Sequence, residues 1–254
     1  MHRNRGIPLS QISLTDRFWR AWQEQFAQVG IPHQWRMCEE TGRLENFRRA
    51  ARGETGGFEG MRFNDSDVYK LIEGTSYALI TDPDCPSRPI LTDTVKSIRE
   101  AQQPDGYLNT FVQLEAPDYR WKNTNSLHEM YCAGHLIEAG VAHAQSTGSS
   151  ELLKVGERFA DHIASTFGPG KRETYPGHQE LELALYKLGV EKRNTSYGEL
   201  ARWMILNRGS RPSPYEAEIN DPEVKKLASA AAALFYKDGK YDGAYAQDDR
   251  PLAE

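Results

Sequence analysis

The feature that most constrains the fold is a repeat of helix pairs in the second half of the chain. One unit begins at His135 with HLIEAGVAHAQSTG and continues into SSELLKVGERFADHIASTFG. The next begins at His178 with HQELELALYKLG and continues into VEKRNTSYGELARWMILNRG, at an offset of about 43 residues. Each unit predicts an apolar helix, a break containing glycine, and an amphipathic helix that ends at glycine. Such a period with two helices per unit is typical of stacked helix pairs.

Two architectures satisfy this repeat, an open solenoid and a closed toroid of inner and outer helices. An earlier unit, DVYKLIEGTSYALI followed by LTDTVKSIREAQQ, fits the same plan more loosely. The first helix of each unit places a few polar groups among apolar neighbours, as expected of an inner helix that lines a central cleft. The second helix is amphipathic in the ordinary way, with Leu152, Val155, Phe159 and Ile163 on one face. We therefore expect an all-α toroid.

Local signals predict the other elements. We expect a helix from the N-cap candidate Asp16 to Gly30, and then a helical segment that Gly42 divides. Ser66 and Thr92 are N-cap candidates for two later helices, the second of which we expect to end at Pro104. The best candidate for an extended segment is DGYLNTFVQ, because its Asp-Gly start favours a turn.

Composition excludes several classes of function. The formal net charge is −5 with acidic and basic residues interspersed, so we expect no nucleic-acid partner. No apolar run approaches the roughly 20 residues of a membrane-spanning helix, so we expect no membrane partner. The N-terminus lacks the apolar segment of a signal peptide, and the three cysteines are widely spaced. Both observations favour a cytoplasmic protein.

One stretch, NSLHEMYCAGHLIEAGVAHAQSTG, concentrates polar groups. His128, Tyr131, Cys132 and His135 follow one another at helical spacing and are expected to share one face, which would line the cleft. Zinc binding by one helix needs two histidines one turn apart, whereas these two are seven residues apart. We therefore predict no metal ligands here. A buried helix with satisfied polar groups remains an alternative.

The second candidate stretch is YPGHQELELALYKLG. Gly177 allows the backbone to approach a neighbour closely just before His178. Glu180 and Glu182 crowd the first turn of a predicted helix, where they could either complement the helix dipole or take part in function. Histidines and paired carboxylates suit glycoside chemistry, as do aromatic residues that stack on sugars. Candidates for such stacking are Trp35, Tyr107 and Trp121.

Several stretches together resemble the N-terminal part of glycoside hydrolase family 127, whose characterised members are β-L-arabinofuranosidases. They are CEETGRLENFRRA, FNDSDVYKLIEGTSYAL, AQQPDGYLNTF, RWKNTNSLHEMYCAGHLIEAGVAHAQSTG, ADHIASTFGPG and GHQELELALYKLG. The resemblance runs from about Asp16 to Arg250 and implies an (α/α)6 barrel as the catalytic domain. Residues 1–254 would then form a single domain, the N-terminal part of that barrel, without the rest of the barrel or any C-terminal β-domains.

The resemblance also implies a mechanism. Family members remove non-reducing terminal β-L-arabinofuranose with retention, and a zinc-bound cysteine thiolate is the nucleophile. A glutamate serves as acid/base, and zinc is held by a glutamate and three cysteines. These groups lie later in the family's sequence than this chain extends. Its own cysteines, Cys38, Cys85 and Cys132, do not match them. We therefore assign no catalytic residue, expect no zinc to be bound by this chain, and predict that it is inactive alone.

Substrate contacts can be carried over. Gln34 in PHQW, His128 in LHEMYC and His178 in GHQE resemble family residues that contact the arabinofuranose. The implied partner is an arabinofuranoside or related plant-type glycan, and self-association through an unfinished barrel is a further expectation. Two alternatives stay open: an (α/α)6 sugar epimerase or lyase, and a non-catalytic carbohydrate-binding fragment.

Overall fold

The computed structural model describes residues 7–222 and residue 224, and the regular elements among them are helical apart from one isolated β-bridge. The predicted all-α class is confirmed. None of these described helices has the length and apolar character needed to cross a bilayer. The α-helices are α1 (Arg17–Gln25), α2 (Ile31–Glu40), α3 (Arg43–Ala51), α4 (Asp65–Thr81), α5 (Arg88–Ala101), α6 (Thr110–Glu115), α7 (Glu129–Thr147), α8 (Glu151–Thr166), α9 (Glu180–Lys192), α10 (Thr195–Asn207) and α11 (Pro214–Asn220).

The helix pairs predicted from the repeat are α4 with α5, α7 with α8, and α9 with α10. Helix α7 packs against α4 on one side and α9 on the other, which makes an inner row of three helices. Helix α8 contacts α5 and α10, which makes an outer row. The two rows have the organisation expected of an α/α toroid.

The outer helix α8 packs on the inner row through the four residues that its periodicity predicted. Leu152, Val155, Phe159 and Ile163 are all buried, and they belong to the main hydrophobic core. Between α7 and α9 the approach is closer, because a Cβ on Gly134 would lie 2.7 Å from Cγ of Glu180. The small residue therefore allows the start of α9 to rest directly on α7.

Asp16 caps α1 as predicted, since its carboxylate accepts hydrogen bonds from the backbone N–H groups of Phe18 and Trp19. Gly42 divides α2 from α3 in a left-handed conformation, at φ 74°. The predicted end at Gly30 is wrong: a π-helical turn over Phe26–Gly30 joins α1 to α2 without a break. A glycine that stays in the right-handed helical region does not terminate a helix.

Two predicted caps are also wrong. Ser66 lies within the first turn of α4, which begins after Asn64. Thr92 lies inside α5, which begins at Arg88 after Ser87, and the Thr92 hydroxyl donates to the Arg88 carbonyl. Ser and Thr can also satisfy their hydroxyls inside a helix by donating to a carbonyl one turn earlier, so the residue type alone did not locate the boundary.

The predicted extended segment DGYLNTFVQ is a turn followed by a short helix. The Asp-Gly turn forms, with the Gly106 N–H donating to the Gln103 carbonyl. The Asn109 side chain then accepts from the Val112 N–H and caps α6. Asp65 accepts from both the N–H and the hydroxyl of Thr110, which anchors the start of α6 to α4. The cap and this distant contact decide the conformation of a short apolar run that could have been either helix or strand.

Candidate functional site

The candidate site lies where the inner helices α4, α7 and α9 begin. His128 immediately precedes α7 and has a left-handed backbone, at φ 62°. Its Nδ1 lies 2.7 Å from the Ser126 carbonyl oxygen. Because a carbonyl only accepts, Nδ1 carries the proton and Nε2 is the acceptor of the neutral ring.

Tyr131 brings the two predicted sugar-binding histidines together. Its ring centroid lies 5.4 Å from that of His128 and 4.7 Å from that of His178, each in an edge-to-face arrangement. His135 packs against the same ring at 4.6 Å. From α4, the Lys70 ammonium donates to the Tyr131 hydroxyl at 2.6 Å. The sequence did not single out Lys70, although it is the one lysine of a predicted inner helix, α4, and follows the apolar pair Val68 and Tyr69.

Gln34, the third residue carried over from the family, lies apart from this cluster. It is exposed on α2. Within the described part of the chain, no hydrogen bond or ring contact joins it to His128 or His178. Its role as a sugar contact stays a prediction.

The predicted polar stripe on α7 needs correction. His128 stands outside the helix, and Cys132 is fully buried with its thiol 3.7 Å from the Phe63 carbonyl oxygen. One residue of helix rotates a side chain by about 100°, so Cys132 turns into the α4–α7 contact while Tyr131 stays half-exposed. The open stripe continues instead through Tyr131 and His135.

The three predicted stacking aromatics are not available to a sugar. Trp35, Tyr107 and Trp121 are all buried. The Trp35 indole donates to the Thr75 hydroxyl, and the Tyr107 hydroxyl donates to Glu129. These residues instead hold the core together.

The histidines of the site are uncharged at neutral pH. Burial, with a smaller effect of the nearby cations Arg62 and Lys70, lowers the pKa of His128 to about 4. Burial and Lys70 also lower the pKa of His135 to about 4 and hold that of His178 below its usual value. A neutral imidazole offers one donor and one acceptor, which is the combination that a sugar hydroxyl can satisfy.

A second cluster of polar side chains, from α7 and α9, adjoins this one at His135. His135 Nδ1 is 3.1 Å from the Glu180 carboxylate, and Lys187 forms an ion pair with Glu138. Burial and the adjacent Glu138 raise the pKa of Glu180 to about 8. Burial opposes ionisation of Glu138, but the hydrogen bond from Glu180 and the Lys187 ammonium hold its pKa below its usual value. Glu180 therefore carries the proton that the two carboxyl groups share.

Glu182 neither caps α9 nor lines the cleft. Its carboxylate accepts from Arg208 at 2.9 Å, and both side chains are only 2% exposed. The same guanidinium donates to the Pro176 carbonyl and lies over the Tyr175 ring. This buried ion pair anchors the segment that leads to His178.

The described residues do not fit a zinc–cysteine centre. Cys38, Cys85 and Cys132 are buried at separate places, and burial raises the pKa of Cys38 to about 11 and that of Cys132 well above its usual value. Zinc binds the thiolate, and among the described residues none of these three thiols lies in a group of three or more possible metal ligands. Over residues 7–222 and 224, the set of ligand atoms that gathers within 4.8 Å is that of His135, Glu138 and Glu180. It contains no thiol, and the Lys187 ammonium already compensates its negative charge.

The close backbone approach predicted at Gly177 is present, and it joins the loops that carry the two histidines. Its N–H donates to the Thr124 carbonyl, and a Cβ at this position would lie 2.1 Å from the Asn125 carbonyl oxygen. That distance is far below van der Waals contact, and the obstacle is backbone. The close approach therefore requires glycine.

We expect Gly177→Ala to lower the free energy of unfolding by about 1–3 kcal/mol, because the backbone must move apart to admit the methyl group. Gly74→Ala is the matched control, since a Cβ there meets nothing within 4 Å and α4 is helical around it. The control should gain up to about 1 kcal/mol from helix propensity. Urea denaturation measures both variants, and equal losses in the two would contradict the account.

Comparison with known proteins gives a consistent result. The family model for the "Beta-L-arabinofuranosidase, GH127 catalytic domain" matches residues 11–254. A curated protein from Bifidobacterium longum subsp. longum, the non-reducing end β-L-arabinofuranosidase, is 32% identical over 268 aligned positions. That alignment covers 96% of this chain and 40% of the relative.

Solved structures agree with these matches. A GH127 β-L-arabinofuranosidase from Geobacillus stearothermophilus T6 superposes with a TM-score of 0.83 at 37% identity, over 95% of this chain and 38% of that one. A second structure, described as a GH127 β-arabinofuranosidase, gives a TM-score of 0.74 at 37% identity, over 80% of this chain and 34% of its own. The chain thus spans about two fifths of the length of the proteins it matches.

Proposed function

Because the chain belongs to the family of GH127 β-L-arabinofuranosidase catalytic domains, we propose that it binds the terminal arabinofuranose of a β-L-arabinofuranoside at the start of α4, α7 and α9. The substrate would be an arabinofuranoside or a related plant-type glycan. The observation that carries the proposal is the meeting of His128 and His178 on one tyrosine ring, at the half-exposed mouth of the inner row.

The chemistry of the cluster suits a neutral polyol. The His128 Nε2 can accept from a sugar hydroxyl, a neutral His178 ring has one donor and one acceptor nitrogen, and the Tyr131 ring offers an apolar surface to C–H groups. The family names also favour a hydrolase over the epimerase or lyase alternative.

Bond cleavage needs a nucleophile that the described residues do not provide. Their cysteines are buried apart from one another, and burial raises the pKa of Cys38 and Cys132. We propose that these residues bind and orient the sugar, and that the retaining chemistry of the family requires further groups. Cytoplasmic location and self-association stay predictions. Support for self-association comes from α9, where Leu183, Tyr186 and Val190 are half or more exposed.

We expect the 254-residue protein to bind methyl β-L-arabinofuranoside at pH 7 by calorimetry, and His178→Ala to weaken binding about tenfold, the effect of losing one hydrogen bond. His128→Gly should act similarly, and glycine accepts the left-handed backbone at this position without strain. The control is His33→Ala, because His33 is exposed on α2 beside Arg36. Undiminished affinity in both site variants would contradict the proposed site.

The same preparation tests the chemistry. We expect no release of arabinose from the glycoside, with or without added zinc. Zinc-dependent release would show that the nucleophile lies within the 254 residues, and an epimerised product would favour the alternative enzyme class. Binding without turnover would match the assignment of His128 and His178 as sugar contacts.

A further inference from the structure

We propose that Tyr131 and Lys70 are a positioning pair that sets the separation and orientation of His128 and His178. Tyr131 supplies the ring against which both histidines pack, and Lys70 holds that ring in place from the neighbouring helix. The role in sugar affinity rests on the proposed function, whereas the geometry of the free protein does not depend on it.

The two histidines come from different loops, and the Tyr131 ring is a contact that they share. His128 precedes α7, whereas His178 lies two residues before α9 begins. Their ring centroids lie 5.4 Å and 4.7 Å from that of Tyr131. Since each contact is edge-to-face, a rotation of the tyrosine ring would displace both imidazoles. The position of the Tyr131 ring therefore sets the distance between the His128 and His178 side chains.

Lys70 restrains this ring from α4. Its ammonium lies 2.6 Å from the Tyr131 hydroxyl, 3.4 Å from the Ser66 hydroxyl and 4.9 Å from the centroid of the Tyr131 ring. A cation that donates to the hydroxyl from a neighbouring helix limits the movement of the tyrosine side chain. Contacts of the Tyr131 ring on α7 therefore link Lys70 of α4 with His178, which precedes α9.

The Lys70 charge also acts on the histidines. It lowers the pKa of His128, His135 and His178, in each case after the larger effect of burial. Each histidine also faces other charged or titratable groups. His128 faces Arg62 and His178, and His178 faces Arg208. His135 faces Glu138, Glu180 and His178. Lys70 is the cation common to all three and keeps them neutral at lower pH.

Three variants separate these roles. Tyr131→Phe keeps the ring and loses the Lys70 hydrogen bond, Tyr131→Leu removes the ring, and Lys70→Met keeps an unbranched side chain without the charge. Lys96→Met is the matched control, since Lys96 is an exposed lysine on the outer helix α5. The histidine ring protons are followed by NMR in the free protein, and calorimetry measures affinity for methyl β-L-arabinofuranoside against pH.

We expect Tyr131→Leu to shift the ring-proton resonances of both His128 and His178, because the ring current of the tyrosine is lost. Lys70→Met should raise the pKa of these histidines and move the acid limb of sugar affinity to higher pH, whereas Lys96→Met leaves both unchanged. Tyr131→Phe should weaken binding about fivefold at pH 7, as expected for one hydrogen bond.

These experiments distinguish failure of the proposed sugar binding from failure of the positioning pair. If the unaltered protein binds no arabinofuranoside while Tyr131→Leu shifts both sets of histidine resonances, the proposed function is wrong and the positioning pair stands. If Tyr131→Leu leaves both sets in place, or Lys70→Met leaves the histidine pKa values unchanged, the positioning pair is overturned, whatever the affinity.

Discussion

Arg208→Met is expected to lower the free energy of unfolding by about 3–5 kcal/mol, because it leaves the carboxylate of Glu182 buried without its cation. The two groups lie 2.9 Å apart, and each side chain is only 2% exposed. Burial already raises the pKa of Glu182, and the Arg208 guanidinium opposes that rise. Removal of the guanidinium also leaves the Pro176 carbonyl without this donor. Chemical denaturation at pH 7 measures the loss.

Two further variants show whether the unpaired charge is the cause. The double variant Arg208→Met with Glu182→Leu should recover most of the loss, since apolar residues of similar volume can replace a buried ion pair. Arg20→Met is the surface control: its pair with Glu24 has a similar 2.9 Å distance, but both side chains are about two-thirds exposed. It should change stability by less than about 1 kcal/mol. A double variant as unstable as Arg208→Met would point to lost packing instead.

Glu129 is expected to make the protein less stable as pH rises, by on the order of 3 kcal/mol in total. Its carboxyl is buried, accepts from the Tyr107 hydroxyl at 2.5 Å and accepts from the Trp121 N–H. Burial raises its pKa from 4.5 to about 7 despite these hydrogen bonds. Because the folded state holds the proton more tightly, this contribution is complete below pH 4.5 and is lost as pH rises through about 7.

The histidines of the site act in the opposite direction. The folded-state pKa of His128 is depressed to about 4, so its contribution is present above pH 6.5 and is lost as pH falls toward 4.

Comparison of the unaltered protein with Glu129→Gln isolates the effect of the Glu129 carboxyl, because the amide does not titrate. The free energy of unfolding of the unaltered protein, minus that of Glu129→Gln, should fall as pH rises from 4 to 8. A constant difference over that range would show that folding leaves the pKa of Glu129 unchanged.

The helix pairs could be predicted because their signals are local. Apolar residues at helical spacing, such as Leu152 and Phe159 on α8, fix which face is buried whatever the helix packs against. Helix boundaries were less predictable. Ser66 and Thr92 have the chemistry of caps but lie inside helices, and Asn109 turned a presumed extended run into α6. These outcomes depend on competition between neighbouring polar groups and on contacts such as that of Asp65 with Thr110.

The sites of the aromatic residues and of Cys132 were not predictable in the same way. Tryptophan and tyrosine are found both in sugar-binding sites and in hydrophobic cores, so residue type alone does not distinguish the two. Their burial in the structure assigns Trp35, Tyr107 and Trp121 to the core. Cys132 was placed correctly on a helix, but packing against α4 turned it away from the cleft. A shift of one residue along a helix, about 100° of rotation, is enough to reverse such an assignment.

By itself the sequence determined the all-α class and the helix pairs, because periodicity and turn chemistry act over a few residues. Only the tertiary structure decided that both histidines meet on Tyr131 and that Lys70, 61 residues away, holds its hydroxyl. It likewise decided that Glu182 pairs with Arg208 in the core. Contacts between separate helices depend on how those helices pack, and the pattern within one helix does not specify which side chain of another it will meet.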